Sequence, residues 1–408
     1  MNRTTLISLI VLAVFALGGT VYFLFFTGGT PSVTVAPDGG SSLPVAGQIP
    51  TPTGSGATGS GGSPDGTNAV PNTPVSVTSR LVQISQGPVV PGEVVVDIKS
   101  ANASSSPTVA VNYIERESGN VFTFSPATKI LTRINNKTLP GIQSASWLPD
   151  GSAAFVRYLS GTDFSTVNTY ALSATSSSGF FLPQDLSDIA VSSTSVLTLA
   201  SGVNGSIASL SRTDGTKPIT LFSSPLSALR VSFAGKNQYL AFSKPSASLS
   251  GDAFLVSALG RFSRIAGPLD GLIALASPGG KWVLVSYVLS GAMQTELINL
   301  VTNASITLPL ATIADKCVWA NDDLSIYCGV PVNPGSSYSY PDDWYQGAVQ
   351  FSDRIWKIDV TGRYAQLVLD FSQANKGTLD AVSLAINPSL TTLVFVNKND
   401  GSLWSYSL

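Results

Sequence analysis

Trp147-Leu148-Pro149-Asp150-Gly151, followed at once by the apolar run Ala153–Tyr158, is the stretch that decides the architecture. A near copy is Ala276-Ser277-Pro278-Gly279-Gly280 ahead of Trp282–Tyr287, and weaker copies begin at Val191, Phe233, Trp319 and Ile386. The turn chemistry has a mechanism. In Ser277–Gly280, Pro presets φ for the first turn position and Gly accepts the positive φ that follows. The anchors at 147, 191, 233, 276, 319 and 386 are spaced by 44, 42, 43, 43 and 67 residues. A unit of roughly 40–45 residues made of short strands marks the blade of a β-propeller.

From about Val75 onward, runs of four to eight residues rich in Val, Ile, Leu, Phe and Tyr alternate with Gly, Pro, Asn, Asp and Ser clusters, a strand-and-turn pattern throughout. In the clearest unit the expected strands are Leu272–Ala276, Trp282–Tyr287, Glu296–Leu300 and Ser305–Leu310. One step back from Trp147 lies Ser104, with Val94–Ile98 and Val109–Tyr113 as flanking strands, and this adds a further unit. The expectation is an all-β, seven-bladed propeller over residues 75–408, with six or eight blades as the neighbouring counts. The final unit supplies three strands, Ala381–Ile386, Thr391–Val396 and Leu403–Ser407, while Arg80–Ser85 is an extra strand ahead of the first blade. Pairing Arg80–Ser85 with Leu403–Ser407 closes the ring and removes two open sheet edges.

The Trp147–Gly151 turn with its apolar strand resembles the repeats of the TolB-like and WD40-like (PD40-type) propellers, and Thr213-Asp214-Gly215-Thr216-Lys217 resembles a later turn of the same repeats. The resemblance covers roughly residues 80–408 and is complete only at Trp147–Gly151. It implies a propeller that binds partners through one face of its ring.

The first 26 residues read as a membrane element. Arg3 precedes a mostly apolar run, Leu6–Phe26, and about 20 apolar residues suffice to span a hydrocarbon core of roughly 30 Å. The run exceeds the roughly 7–15 apolar residues of a cleaved signal peptide, and no small-residue cleavage site follows it. The reading is therefore an uncleaved signal anchor. Arg3 is followed by no other basic residue before Arg80, so the positive-inside bias leaves a cytoplasmic stub and sends the rest to an extracytoplasmic location, periplasmic or cell-surface. Residues 27–74 are Gly, Pro, Ser and Thr with scattered Val and Ala, and carry charge only at Asp38 and Asp65. Such a composition is expected to be a flexible, disordered linker.

Composition narrows function more than it identifies it. Charged residues are 11% of the chain, against roughly 25% in an average soluble protein. The net charge of −2 offers no basic footprint for nucleic acid. With no His and two Cys in 408 residues, a Cys/His zinc site cannot be assembled, and neither a metal nor any other cofactor is expected. Acid pairs are the remaining catalytic possibility. Asp322 and Asp323 fall in a turn on the face opposite the binding loops, Asp342 and Asp343 are sequence neighbours, and no complete S-x-D-x-G-x-x-W box occurs. A non-enzyme is expected.

Two features stand out as site candidates. Cys317 and Cys328 are centred on Asp322-Asp323, which in a two-residue hairpin sets them opposite one another, close to disulfide distance. The alternative is a pair of buried thiols. The 67-residue step places about 24 extra residues in the sixth repeat, mostly at Pro331–Ser352. Loops this long are usually functional or disordered, and this one is too aromatic for disorder. Here Tyr338, Tyr340, Trp344 and Tyr345 beside Asp342 and Asp343 are suited to stack on a sugar ring or grip a peptide. The bland alternative is a packed lid with an Asp capping a turn. The insertion is expected on the same rim as Glu115–Asn120, Ser160–Thr166, Lys244–Asp252 and Lys398–Gly401. Together these features suggest an envelope protein-interaction or scaffolding module whose partner is a protein or, alternatively, a glycan.

Overall fold

The structure, a computed structural model, describes residues 80–99, 107–374 and 377–408. The expected anchor (1–26) and linker (27–74) lie outside the described residues, among which no helix is long and apolar enough to cross a membrane.

The described chain is all-β, built of antiparallel sheets in sequence order. Blade one comprises Val94–Ile98, Thr108–Ile114, Val121–Ser125 and Ile130–Asn135. Blade two comprises Ile142–Trp147, Ala153–Ser160, Thr166–Ser173 and Gly179–Phe181, and blade three Leu186–Val191, Ser195–Gly202, Gly205–Arg212 and Ile219–Ser224. Blade four opens with Leu229–Phe233 and Gln238–Ser243, and blades four and five form one seven-stranded sheet, because the 15-residue strand Phe262–Ala276 is shared. Its first part pairs with Ser250–Ser257 at the outer edge of blade four, and its last part pairs with Trp282–Leu289 as the innermost strand of blade five. Gly267, at φ 110°, lies where a Cβ would meet Asp252 and the Gly251 carbonyl, so only Gly fits this crossing. Blade six comprises Cys317–Trp319, Ser325–Pro331, Asp353–Asp359 and Tyr364–Asp370.

Blade seven is closed from the other end of the chain. Leu81–Gln83 pairs with Leu403–Ser407, with Leu81 opposite Tyr406 and Gln83 opposite Trp404. Arg80 Nε also donates to Ser407 O at 2.9 Å. The expected closure strand is thus present, shortened to three residues.

Each apolar cluster fills the wedge between successive blades. Val90, Ile142 and Trp147 join blades one and two, Phe155 and Leu186 blades two and three, and Leu199 and Val231 blades three and four. A larger cluster spans blades four to six, Ile355 and Phe395 join six and seven, and Val95 and Val394 join seven back to one. The ring is therefore continuous over seven four-stranded units. Acids stitch the same seams. Asp97 accepts from Asn387 Nδ2 (2.7 Å) and the Ser389 amide (2.8 Å), Asp188 from the Val231 amide (2.8 Å), and Asp323 from the Gly279 amide (2.8 Å).

Strand bounds differ from expectation by a few residues, as at Ala292–Asn299 and Ser305–Thr307 in blade five. One turn is also longer than expected. The hairpin between the cysteines has a turn over residues 320–324, not two residues, with Asp322 bonded to the Leu324 and Ser325 amides. The register is unaffected. Cys317 stands opposite Cys328, and the two form a disulfide with Cα atoms 4.1 Å apart.

Candidate functional site

With four antiparallel strands per blade, the connections from second to third strand and from fourth to the next first strand share one rim. The loops 115–120, 161–165, 244–249 and 398–402 and the insertion 332–352 are all connections of this kind, so the structure places them together as the sequence implied. We call this rim the loop face.

The insertion folds down onto the ring, and its aromatic residues divide into two groups. Trp344 and Tyr340 are buried, at 3% and 4% exposure, whereas Tyr338 and Tyr345 retain 39% and 41%. Trp344 stacks on Phe351 (6.1 Å, 13°), and Tyr340 packs against the same ring at 5.6 Å. The Tyr340 hydroxyl donates to Gly335 O at 2.9 Å. Asp343, inside the short helix Asp342–Tyr345, accepts from the Ser339 amide at 2.7 Å and so ties the helix to the chain ahead of it. The expectation that Trp344 and Tyr340 offer rings to a ligand is corrected. They are core residues, because burying apolar area is worth more than presenting it. Tyr338, Asp342 and Tyr345 remain at the surface.

Under the insertion lies a group of charges that no local sequence pattern connects. Lys316, Asp353 and Asp380 are all buried. Lys316 Nζ pairs with Asp353 Oδ2 at 2.8 Å and with Asp380 Oδ1. The second oxygen of Asp380 accepts from Trp344 Nε1 (3.0 Å) and from the Phe351 amide (3.1 Å). Lys316 Nζ also sits 5.1 Å from the Trp344 ring centre and 5.2 Å from that of Phe351, and Lys398 Nζ lies 5.2 Å from Trp344. Burial holds the Asp353 carboxyl above its ordinary range despite Lys316, and depresses Lys398 despite Asp380. A buried charge is costly unless paired and hydrogen-bonded. Pairing is nearly complete here, so the group fixes the insertion in place.

Beside the insertion is an open cleft of about 610 Å³, lined by Arg230, Lys244, Pro245, Ser246, Asp315, Asp342, Tyr345 and Gln346. Its floor is the Arg230–Asp315 ion pair, at 2.8 Å, and the Tyr345 hydroxyl donates to the same Asp315 oxygen at 2.6 Å. Arg230 stacks over Phe242 at 5.2 Å. Burial opposes the Arg230 charge, but Asp315 more than offsets it and the guanidinium pKa is raised. Burial, then the Asp315 charge, pushes the Tyr345 hydroxyl far above its usual value. The sequence pointed to Asp342 and Tyr345 but not to Arg230, Lys244, Asp315 or Gln346. Arg230 and Asp315 are 85 residues apart, and only the ring brings them together. Among the described residues, no three His, Cys, Asp or Glu side chains gather as a metal-holding group.

No family model matches the sequence, and no curated protein matches it. Solved structures do. An oligogalacturonate lyase from Vibrio parahaemolyticus superposes with TM-score 0.55 at 8% identity, over 80% of this chain and 93% of that one. An oligogalacturonate lyase in complex with manganese gives 0.52 at 8% identity, over 78% and 98%. TolB from Acinetobacter baumannii gives 0.43 at 10% identity, over 63% and 62%. At these identities the likeness to the two lyases is one of fold, and the fold is the β-propeller that the Trp147 repeat announced.

Proposed function

We propose that this chain is a binding or scaffolding module of a cell envelope, held to the membrane through residues 6–26 with its propeller outside the cytoplasm. It engages an envelope protein through the loop face and catalyses no reaction. The observation that carries this reading is the position of Arg80. Its bond to Ser407 O places it at the end of the third strand of blade seven, on the rim opposite the cleft and the insertion. The described chain therefore enters the ring at the rim opposite the loop face. That face also presents Phe164, Leu249 and Leu289 at 67%, 72% and 58% exposure, positions at which a partner contact can be tested. The manganese of the second lyase is not carried over, because the chain has no His and its described acids form no metal-holding cluster.

The test is co-purification of the tagged full-length chain from detergent-solubilised envelope membranes. Phe164→Asp with Leu249→Asp, on the loop face, is expected to abolish partner recovery. Leu259→Asp with Val301→Asp, on the opposite rim at 80% and 81% exposure, is expected to leave it intact. The reverse pattern removes the loop-face reading, and robust turnover of envelope polysaccharide by the purified chain removes the non-enzymatic one.

A further inference from the structure

The cleft beside the insertion lies on the same loop face and has a chemistry of its own. Its floor is already neutralised, since Arg230 is committed to Asp315 and Tyr345 bonds to the same carboxylate. Three polar side chains are left to serve a ligand. Lys244 projects from the blade-four loop, and Asp342 and Gln346 from the insertion helix and its end. None of the three makes a side-chain hydrogen bond or ion pair among the described residues. Between them stands Tyr345, 41% exposed, its ring held by Trp344 (centres 5.1 Å apart) and by its hydroxyl bond.

These features exclude some ligands and favour one class. A strong anion needs uncommitted guanidinium or several ammonium groups, and the cleft offers a single lysine. An extended peptide needs a free strand edge or deep side-chain pockets, and the cleft has a charged floor instead. Vicinal hydroxyls on an apolar ring face need a donor, an acceptor, an amide that can be either, and a rigid aromatic plate. The volume of about 610 Å³ falls inside the roughly 300–1,000 Å³ of small-ligand sites. We propose that this cleft binds a neutral saccharide, with one ring on Tyr345 and its hydroxyls shared among Lys244, Asp342 and Gln346. The site acts beside protein binding at the rim and does not depend on it.

The test is saturation-transfer NMR of the full-length chain in detergent with maltotriose, cellotriose and triacetylchitotriose, and with trigalacturonate as an anionic comparison. At least one neutral trisaccharide is expected to bind with a Kd of about 1 mM. Tyr345→Ala should weaken that binding at least about tenfold, whereas Tyr345→Phe, which keeps the ring, should retain it. Lys244→Met and Asp342→Asn should each weaken it several-fold, and they carry the same test should Tyr345→Ala fail to fold. The proposal is overturned if no neutral trisaccharide binds at about 10 mM, if binding ignores all three wall substitutions, or if trigalacturonate binds more tightly than every neutral probe. Co-purification of a protein partner is scored separately, so either result can fail without the other.

Discussion

Glu93 should make the stability of this propeller fall as pH rises, and Glu93→Gln should remove much of that dependence. The residue immediately precedes the innermost strand of blade one, the blade that closes the ring against blade seven. It is 8% exposed, and neither carboxylate oxygen has a hydrogen-bond partner. Burial pushes its carboxyl from the ordinary 4.5 up to about 8, and the nearby Glu93 and Gly92 amides offset this only in part. The sign follows from proton counting. Below pH 4.5 both folded and unfolded chains carry the proton, and Glu93 imposes no penalty. Between 4.5 and about 8 the unfolded carboxyl ionises while the folded one does not, so folding becomes progressively less favourable. Above about 8 the penalty is complete. At about 1.36 kcal/mol per pH unit, the gap from 4.5 to about 8 amounts to ~5 kcal/mol. Urea unfolding of wild type and Glu93→Gln at steps from pH 4.5 to 9 measures it. The two stabilities should be similar near pH 4.5 and diverge in favour of Gln by several kcal/mol at pH 9. Parallel curves across that range would refute the reasoning.

Deleting residues 1–86 removes the closing strand Leu81–Gln83 and should yield an aggregating head, whereas deleting 1–70 should leave the melting temperature unchanged; equal melting temperatures would refute the closure. Trp344→Ala should cost ~3–5 kcal/mol in denaturant unfolding, as for other buried large-to-small changes, while Tyr345→Ala should cost clearly less. Asp380→Ala leaves the buried Lys316 with Asp353 alone and takes the acceptor from Trp344 Nε1 and the Phe351 amide, and should destabilise by ~3–5 kcal/mol. It should also expose 332–352 to chymotrypsin, and unchanged cleavage would contradict the anchoring role. Replacing both Cys317 and Cys328 by Ser opens a loop with a sequence separation of 11 and should cost ~3 kcal/mol in thermal or denaturant unfolding.

The fold was legible because its turns obey local rules. Gly151, Gly215 and Gly280 all sit at positive φ, at 72°, 75° and 72°, the conformation that their turn motifs demand. The weaker repeats were harder to see for the same reason. In blades six and seven, Asp323 (58°) and Leu390 (55°) adopt positive φ without being Gly, so the turn persists while its signature fades. The disulfide was legible because cross-strand register follows from sequence symmetry about a hairpin. The site was only half legible. A Tyr/Trp-rich insertion can be found by counting, but whether a ring faces water depends on what lies beneath it. Trp344 turns inward because Asp380, 36 residues away, accepts its indole N–H. One signal was available. Glu93, Lys316 and Asp380 each stand directly ahead of an innermost strand, where a charge must be either exposed or satisfied from a neighbouring blade. The Arg230–Asp315 floor joins blade four to the connection between blades five and six and leaves no trace in local sequence.

The most direct test of the account is a photo-crosslinking scan in living cells. A photoreactive residue is placed singly at Phe164, Tyr338 and Leu249 on the loop face, and at Leu259, Val301 and Leu324 on the opposite rim, all exposed positions. Discrete crosslinked partner bands are expected from loop-face positions and none from the opposite rim. Bands from Leu259, Val301 and Leu324 with a silent loop face would contradict it.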